Sequence, residues 1–112
     1  MSASNPTPLT KAAILARTNS GLAYYLHHLP NLEVDYVFGL SKATTHPTIP
    51  GNESFSIIFR MGEWVFSFSM VNKQIQGNII DFCRLIKQDD DLSEADVLRI
   101  ISDELNLDLS GN

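Results

Sequence analysis

The chain has 112 residues, of which 44% are hydrophobic and 19% charged, and its formal net charge is −5 at pH 7. This length suits a single domain, and the single Cys83 excludes an intramolecular disulfide or a cysteine-built zinc cage within one chain. The acidic balance excludes a strongly basic surface that grips phosphate backbones by charge alone. No apolar run approaches the ~20 residues that span a bilayer, and no secretory signal pattern opens the chain. We therefore expect a cytoplasmic protein without membrane contact.

The first part of the chain predicts a loose lead-in followed by a helix. Residues 1–8 are small, polar and proline-bearing, which is typical of a flexible segment. Thr7 and Pro8 have the residue types of a helix cap and a first helical position. We expect the first helix to begin there and to continue over residues 11–17, whose alanines, isoleucine and leucine provide an apolar surface.

The middle of the chain predicts a second helix, a strand and a long loop. A polar run at residues 18–21 interrupts the first helix, and apolar residues at three- and four-residue spacing indicate a second helix over 20–29, which Pro30 ends. Alternation over residues 32–38 is the repeat of a half-buried strand. Its apolar positions are Leu32, Val34, Tyr36 and Phe38. Residues 39–53, with two glycines and two prolines, predict a loop long enough to suggest a function.

Two alternating segments, residues 54–59 and 64–69, predict a β-hairpin with an aromatic side and a serine-rich side. The residues on the aromatic side are Phe55, Ile57, Phe59, Trp64, Phe66 and Phe68. One interpretation places all of them in the core against the helices. The other turns the aromatics of one strand outward, where they would stack on bases beside nearby cations. The small, polar character of the opposite side favours the first interpretation.

The last part of the chain predicts a loop over residues 70–76 and two capped helices. Asn78 has the residue type of a cap for a helix beginning at the next position, and Ser93 that of a cap for the final helix. We expect an α+β fold: a small antiparallel sheet with a central aromatic hairpin, helices at the N-terminus, and two C-terminal helices packed on the sheet. Residues 9–109 would form one domain, and residues 110–112 a frayed end.

Several of these segments together resemble a known family. They are Ile14-Leu15-Ala16-Arg17-Thr18, Ser54-Phe55-Ser56-Ile57, the pair Trp64 and Phe66, Gly77-Asn78-Ile79-Ile80-Asp81-Phe82, and Leu105-Asn106-Leu107. In their order and spacing, over residues 11–109, the chain resembles the N-terminal zinc-binding domain of bacterial DNA primases. Similar domains occur in primase-like and mobilisation proteins of mobile elements.

The zinc ligands of that family are missing from this chain. The family holds zinc with a Cys and a His three residues later, and with a Cys-x-x-Cys after the second strand. The corresponding positions here are Thr45 and Thr48, then Phe66 and Ser69, or alternatively Met70 and Lys73. None of these supplies a zinc ligand in its ordinary role, and the neighbouring His46 cannot complete a four-ligand site alone. We expect no metal or other cofactor, burial of the hairpin aromatics in its place, and folding that chelators do not change.

The resemblance implies a non-catalytic accessory protein of DNA replication, mobilisation or excision of a mobile element. Its partner would be single-stranded DNA, bound weakly, or a replication or mobilisation protein. The candidate contact residues are Arg60, Trp64, Lys73, Arg84 and Lys87, whose cations would converge if the middle of the chain folds compactly. The alternative is an acidic protein–protein interaction module, with a homodimer as one form and no nucleic-acid binding. No catalytic triad, nucleophile elbow or phosphate-binding glycine loop points to an enzyme.

The remaining candidate groups favour structural roles. His27 and His28 are adjacent on a helix and would point about 100° apart, so we expect them not to chelate an ion together and to interact with the last helix carbonyls. Cys83 falls on an apolar helix stripe, which predicts a buried and inert thiol. The acidic residues from Asp89 to Asp96 predict a solvated connector and helix-capping charges, with an acidic contact for a basic partner as the alternative.

Overall fold

Residues 8–109, which a computed structural model describes, fold as a five-stranded antiparallel sheet with helices before and after it in the chain. Three predicted features lie outside the described residues: the expected lead-in except for Pro8, the helix cap at Thr7, and the frayed end at residues 110–112. The elements are α1 (Lys11–Arg17), α2 (Leu22–His28), β1 (Val34–Asp35), β2 (Leu40–Ser41), β3 (Ser56–Arg60), β4 (Glu63–Met70), β5 (Lys73–Gly77), α3 (Ile79–Lys87) and α4 (Glu94–Glu104).

The sheet is a meander in which each strand pairs with its neighbour in the chain, in the order β1-β2-β3-β4-β5. The β3–β4 hairpin forms its centre, with Ile57 opposite Phe66 and Phe59 opposite Trp64. We call the end that holds the β1–β2 and β3–β4 turns the turn end. The opposite end, where residues 42–54 approach the β4–β5 turn, is the loop end.

The aromatic side of the central hairpin faces the helices. Its buried members are Phe55, Ile57, Trp64, Phe66 and Phe68. The interpretation that placed these side chains in the core is therefore confirmed for all but Phe59, which is 46% exposed at the turn end. Large aromatic areas removed from water are the main stabilising contribution to this layer.

The C-terminal helices complete the core. α3 packs on β4 and β5, and α4 packs on α3 and α1. Phe82 of α3 is fully buried, and its ring centroid lies 4.7 Å from that of Tyr25, 5.6 Å from Phe55 and 6.0 Å from Phe66. The expected α+β fold, with the C-terminal helices packed on the sheet, is confirmed.

Both C-terminal helices begin at the predicted caps. The Asn78 side chain accepts hydrogen bonds from the backbone N–H groups of Ile80 and Asp81, and the Asp81 carboxylate accepts one from the Asn78 N–H. Ser93 and Asp96 form the same reciprocal arrangement at the start of α4. Each pair satisfies N–H groups that a helix start leaves without partners.

The N-terminal boundary was predicted too early. α1 begins at Lys11, because the Thr10 hydroxyl accepts a hydrogen bond from the Ala13 N–H at 3.1 Å and acts as the cap in place of Thr7. α2 lies inside the expected range. It follows Gly21, whose φ of +97° and a Cβ position only 2.9 Å from Ile79 Cγ2 leave room for no other residue without strain.

One strand prediction and two loop predictions were wrong in extent. The strand expected over residues 32–38 is only β1, because the Asp35 carboxylate accepts hydrogen bonds from the N–H groups of Val37 and Phe38 and turns the chain. The loop expected over 39–53 contains β2, and the loop expected over 70–76 contains β5.

Candidate functional site

Among the described residues, the largest group of exposed apolar side chains lies at the turn end. Its members are Tyr36, Val37, Phe38, Leu40, Phe59 and Met61, which we call the turn-end surface. Tyr36 is 67% exposed and Phe38 77%. Soluble proteins rarely leave a contiguous apolar patch uncovered unless it contacts something. The turn-end surface is therefore the first candidate for a binding site.

The backbone fixes the shape of this surface. Asp35 Oδ1 lies 3.0 Å from the backbone nitrogens of both Val37 and Phe38, and the Gly39 N–H donates to the Asp35 carbonyl oxygen at 2.9 Å. These bonds hold the aromatic side chains on a tight turn. An open depression of about 360 Å³ lies beside the turn, lined by Asn19, Tyr36, Val37, Phe38, Gly39, Phe59 and Trp64.

A single cation without an ion-pair partner borders this surface. Arg60 is exposed at the end of β3 and forms no ion pair within residues 8–109. Glu63, opposite it in the hairpin, is instead paired with Lys11 at 3.1 Å. The unpaired Arg60 guanidinium is free to contact an anion, and Arg60 follows Phe59 in the chain, but the depression that it lines shares no residue with the one beside Tyr36 and Phe38.

The five predicted contact residues do not come together. Arg60 and Lys73 stand at opposite ends of β4, across from Glu63 and Met70 respectively, and Trp64 is buried. On α3, Arg84 Nε donates to the Leu92 carbonyl oxygen at 2.9 Å, and Lys87 Nζ lies 3.4 Å from Glu104 Oε1. Among these residues, Trp64 lines the depression beside the turn-end surface, and Arg60 adjoins that surface in the chain, between Phe59 and Met61.

The loop end holds the positions that correspond to the zinc ligands of the primase family. Thr45 and Lys73 are exposed, Phe66 is buried in the core, and the Ser69 N–H donates to the Ser54 hydroxyl at 2.8 Å. Asn52 connects the loop to β4, since its Nδ2 donates to the Ser69 carbonyl oxygen at 2.9 Å. These side chains do not form a set of nitrogen and sulfur ligands, so the residues at these positions do not fit a structural zinc ion.

His46 takes a structural position at the loop end. Its Nδ1 accepts hydrogen bonds from the N–H groups of Thr48 and Ile49, both at 3.0 Å. Its ring meets the Phe68 ring edge-on at a centroid distance of 4.3 Å. Burial lowers the pKa of His46 below its usual value, so the ring is neutral at pH 7, with its Nδ1 lone pair already used and its proton on Nε2.

We expected His27 and His28 to point apart and not to chelate an ion together; the chelation stays untested, but the side chains do not keep their ligand atoms apart. One ligand atom each from His27, His28 and Glu104 lies within 4.8 Å of the other two. The two histidines end α2, where their ring centroids are 5.0 Å apart, and Glu104 ends α4. Sequence reasoning missed this cluster because helix periodicity gives no information on which distant residue approaches a helix end.

The burial predicted for Cys83 is confirmed. Its side chain is fully buried, and this burial raises the pKa of its thiol, which keeps the sulfur protonated and unreactive. The residues Asp89, Asp90 and Asp91 are exposed, and Asp96 caps α4, as the solvated-connector interpretation expected.

No family model, curated protein or solved structure matches this chain. The resemblance to the primase zinc-binding domain therefore stays a prediction, and the function has to be argued from the geometry of the turn-end surface. Within residues 8–109, no helix has the length and hydropathy to cross a membrane.

Proposed function

We propose that this protein is a non-catalytic accessory factor of DNA replication, mobilisation or excision of a mobile element, and that it contacts single-stranded DNA weakly through the turn-end surface. The observation that carries the proposal is the exposure of Tyr36 and Phe38; the unpaired Arg60 adjoins the same surface in the chain, next to Phe59. The site of action would be the cytoplasm.

The chemistry of the surface suits unpaired bases. Exposed aromatic rings stack on any base, at about 1–3 kcal/mol per base, and an arginine nearby contacts the phosphate. Within residues 8–109, Lys42 lines a depression with Tyr36 but is paired with Glu33, and Arg60 near Phe59 is unpaired; the net charge is −5, so the electrostatic contribution is small. Weak binding that depends more on stacking than on salt follows from this balance.

The loop end supports the proposed relationship to primase zinc-binding domains. The loop that carries Thr45 and Thr48 is tied by Asn52 to the end of β4, where Ser69 and Met70 lie. Two segments that a zinc ribbon would join are thus neighbours here, with hydrogen bonds and the His46 ring in place of an ion. The order of hairpin, Asn78 cap and α3 agrees with the same relationship.

Fluorescence anisotropy with a labelled single-stranded oligonucleotide at low salt tests the proposal. We expect saturable binding that Phe38→Ala and Arg60→Ala weaken several-fold. Lys73→Ala is the matched control for Arg60→Ala, because it removes the same charge from the other end of the sheet. Absence of binding at high micromolar protein, or an equal loss with Lys73→Ala, contradicts the proposal.

A second candidate is a protein–protein interaction module, with a homodimer as one form. Val37 and Met61, 88% and 93% exposed, are aliphatic members of the turn-end surface that suit an apolar protein contact better than a base. Sedimentation velocity separates the two candidates. A dimer that Val37→Asp dissociates, together with no oligonucleotide binding, favours the second; a monomer that binds DNA favours the first.

A further inference from the structure

The junction of α2 and α4 brings two imidazole rings and a carboxylate together. His28 Nε2 lies 3.0 Å from Glu104 Oε1, and His27 offers a third ligand atom within 4.8 Å of both. We propose that His27, His28 and Glu104 bind a divalent first-row transition-metal ion such as Zn²⁺, with water completing its coordination. This site is independent of the loop end and of the turn-end surface.

The donor set selects the class of ion. Two imidazole nitrogens and one carboxylate, with an open position for water, suit zinc and its neighbours, whereas Mg²⁺ and Ca²⁺ require oxygen ligands. A tetrahedral zinc ion with ligands at 2.0–2.1 Å needs ligand atoms about 3.3 Å apart. The 3.0 Å between His28 Nε2 and Glu104 Oε1 is already close to that distance. The His27 side chain is exposed, so it can rotate to bring its ligand atom to the same distance from the other two.

His28 holds a nitrogen that a metal ion would satisfy. Its Nε2 is buried, lies 3.0 Å from Glu104 Oε1 and has no other polar partner within residues 8–109.

Glu104 is held in place for this role by Tyr24. The Tyr24 hydroxyl donates to Glu104 Oε2 at 2.7 Å, and burial raises the pKa of Tyr24, which keeps that proton on the hydroxyl. With Oε2 held by Tyr24, the other oxygen, Oε1, faces His28 at 3.0 Å.

Lys87 is the competitor that a metal ion would displace. Its Nζ lies 3.4 Å from Glu104 Oε1, and its side chain is 37% exposed, so it can move into solvent when a cation takes its place. Removing this charge should therefore strengthen metal binding, whereas removing a ligand should weaken it. The Lys87 variant and the ligand variants should therefore change the affinity for the metal ion in opposite directions.

The experiment titrates ZnCl2 into the full chain after chelator treatment, by calorimetry, with MgCl2 as the comparison. We expect a 1:1 complex with Zn²⁺ and none with Mg²⁺. His27→Gln and Glu104→Gln should each weaken Zn²⁺ binding about tenfold or more, and Lys87→Met should tighten it several-fold. Glu94→Gln is the matched control for Glu104→Gln, because it removes an exposed acid from the other end of α4 and leaves the affinity unchanged.

Three results would overturn the proposal: no binding at about 100 μM Zn²⁺, affinity unchanged by His27→Gln, or affinity lowered by Lys87→Met. His27 is exposed, so its replacement leaves the fold intact, and urea denaturation of the variant verifies this. Zn²⁺ should also raise the midpoint of thermal unfolding of the natural chain and not that of His27→Gln, since a ligand that binds only the folded state stabilises it.

Discussion

At the loop end of the sheet, the His46 ring lies against Phe68 and accepts two backbone N–H groups, whereas at the turn end the rings of Tyr36 and Phe38 face solvent. The same meander therefore has one end where a buried histidine ring packs on a phenylalanine and accepts two backbone N–H groups, with its Nε2 unpartnered within residues 8–109, and one end where two aromatic rings are exposed. The difference teaches that the aromatic side chains of the loop end belong to the folded core, whereas those of the β1–β2 turn are exposed and available for binding.

The largest expected difference between the two ends is in the free energy of unfolding that is lost when a phenylalanine on the aromatic side of the hairpin is replaced. Phe55 is fully buried and Phe59 is 46% exposed. Phe55→Ala should lower the free energy of unfolding by about 3–5 kcal/mol through loss of burial and cavity formation. Phe59→Ala should lower it by about 1 kcal/mol or less. Urea denaturation of both variants measures the two losses in the free energy of unfolding. Equal losses would contradict the proposed difference between the ends.

His46 offers the next largest effect. His46→Leu keeps an apolar side chain against Phe68 but leaves the N–H groups of Thr48 and Ile49 without their acceptor. We expect a loss of about 2 kcal/mol or more in the free energy of unfolding. His27→Leu, at an exposed position, is the control and should change it by less than about 0.5 kcal/mol. A His46→Leu protein as stable as the control would show that the loop end does not depend on this ring.

The pH dependence of stability follows from the lowered pKa values of His46 and His28. Both rings are neutral in the folded protein, so below about pH 6.5 the unfolded chain binds more protons than the folded one. Stability should fall as the pH drops from 6.5 toward the folded pKa values, by at most about 1.4 kcal/mol per pH unit per histidine. Urea midpoints at pH 7.5 and 5.5 measure this, and His46→Leu should reduce the slope.

Two exposed valines allow binding at the two ends to be compared without a change in the fold. Val37 at the turn end and Val71 at the loop end are 88% and 87% exposed. Replacing either with alanine should change the free energy of unfolding by less than about 0.5 kcal/mol. Only Val37→Ala should alter binding of the oligonucleotide or of a partner; an equal effect of Val71→Ala would remove the distinction between the ends.

A chelator should have no effect on folding. The aromatic core and the hydrogen bonds of the loop end hold the described elements together, so EDTA should leave the far-ultraviolet circular dichroism unchanged. In protein to which Zn²⁺ has been added, EDTA should lower the midpoint of thermal unfolding to the value of the metal-free protein and no further. Unfolding by EDTA would contradict the conclusion that the positions of the zinc ligands no longer need an ion.

The sequence predicted the elements whose signals are local. Alternation of apolar residues gave the central hairpin, and the Asn78 and Ser93 caps gave both C-terminal helix starts. β5 was missed because an edge strand with polar residues at Lys73, Gln74 and Gln76 carries no apolar alternation. β1 was drawn too long because the Asp35 side chain competes with strand geometry, which periodicity does not report.

The candidate sites depend on tertiary contacts that the sequence does not reveal. Alternation marked Tyr36 and Phe38 as apolar positions of a half-buried strand, but it does not show that no helix covers them. Glu104 meets Tyr24 across 80 positions of the chain. Such a contact follows from how α2 and α4 pack, and only coordinates show it.

The connection between the sheet and α3 is short and tightly packed. Asn78 is the single residue that separates β5 from α3, and a Cβ at Gly77 would lie 2.6 Å from Asp81 Cβ and 2.9 Å from the Phe66 ring. The last strand and the helix therefore cannot pivot or separate independently. They should behave as one cooperative unfolding unit, exchanging their backbone amide hydrogens together while the β1–β2 turn exchanges much faster.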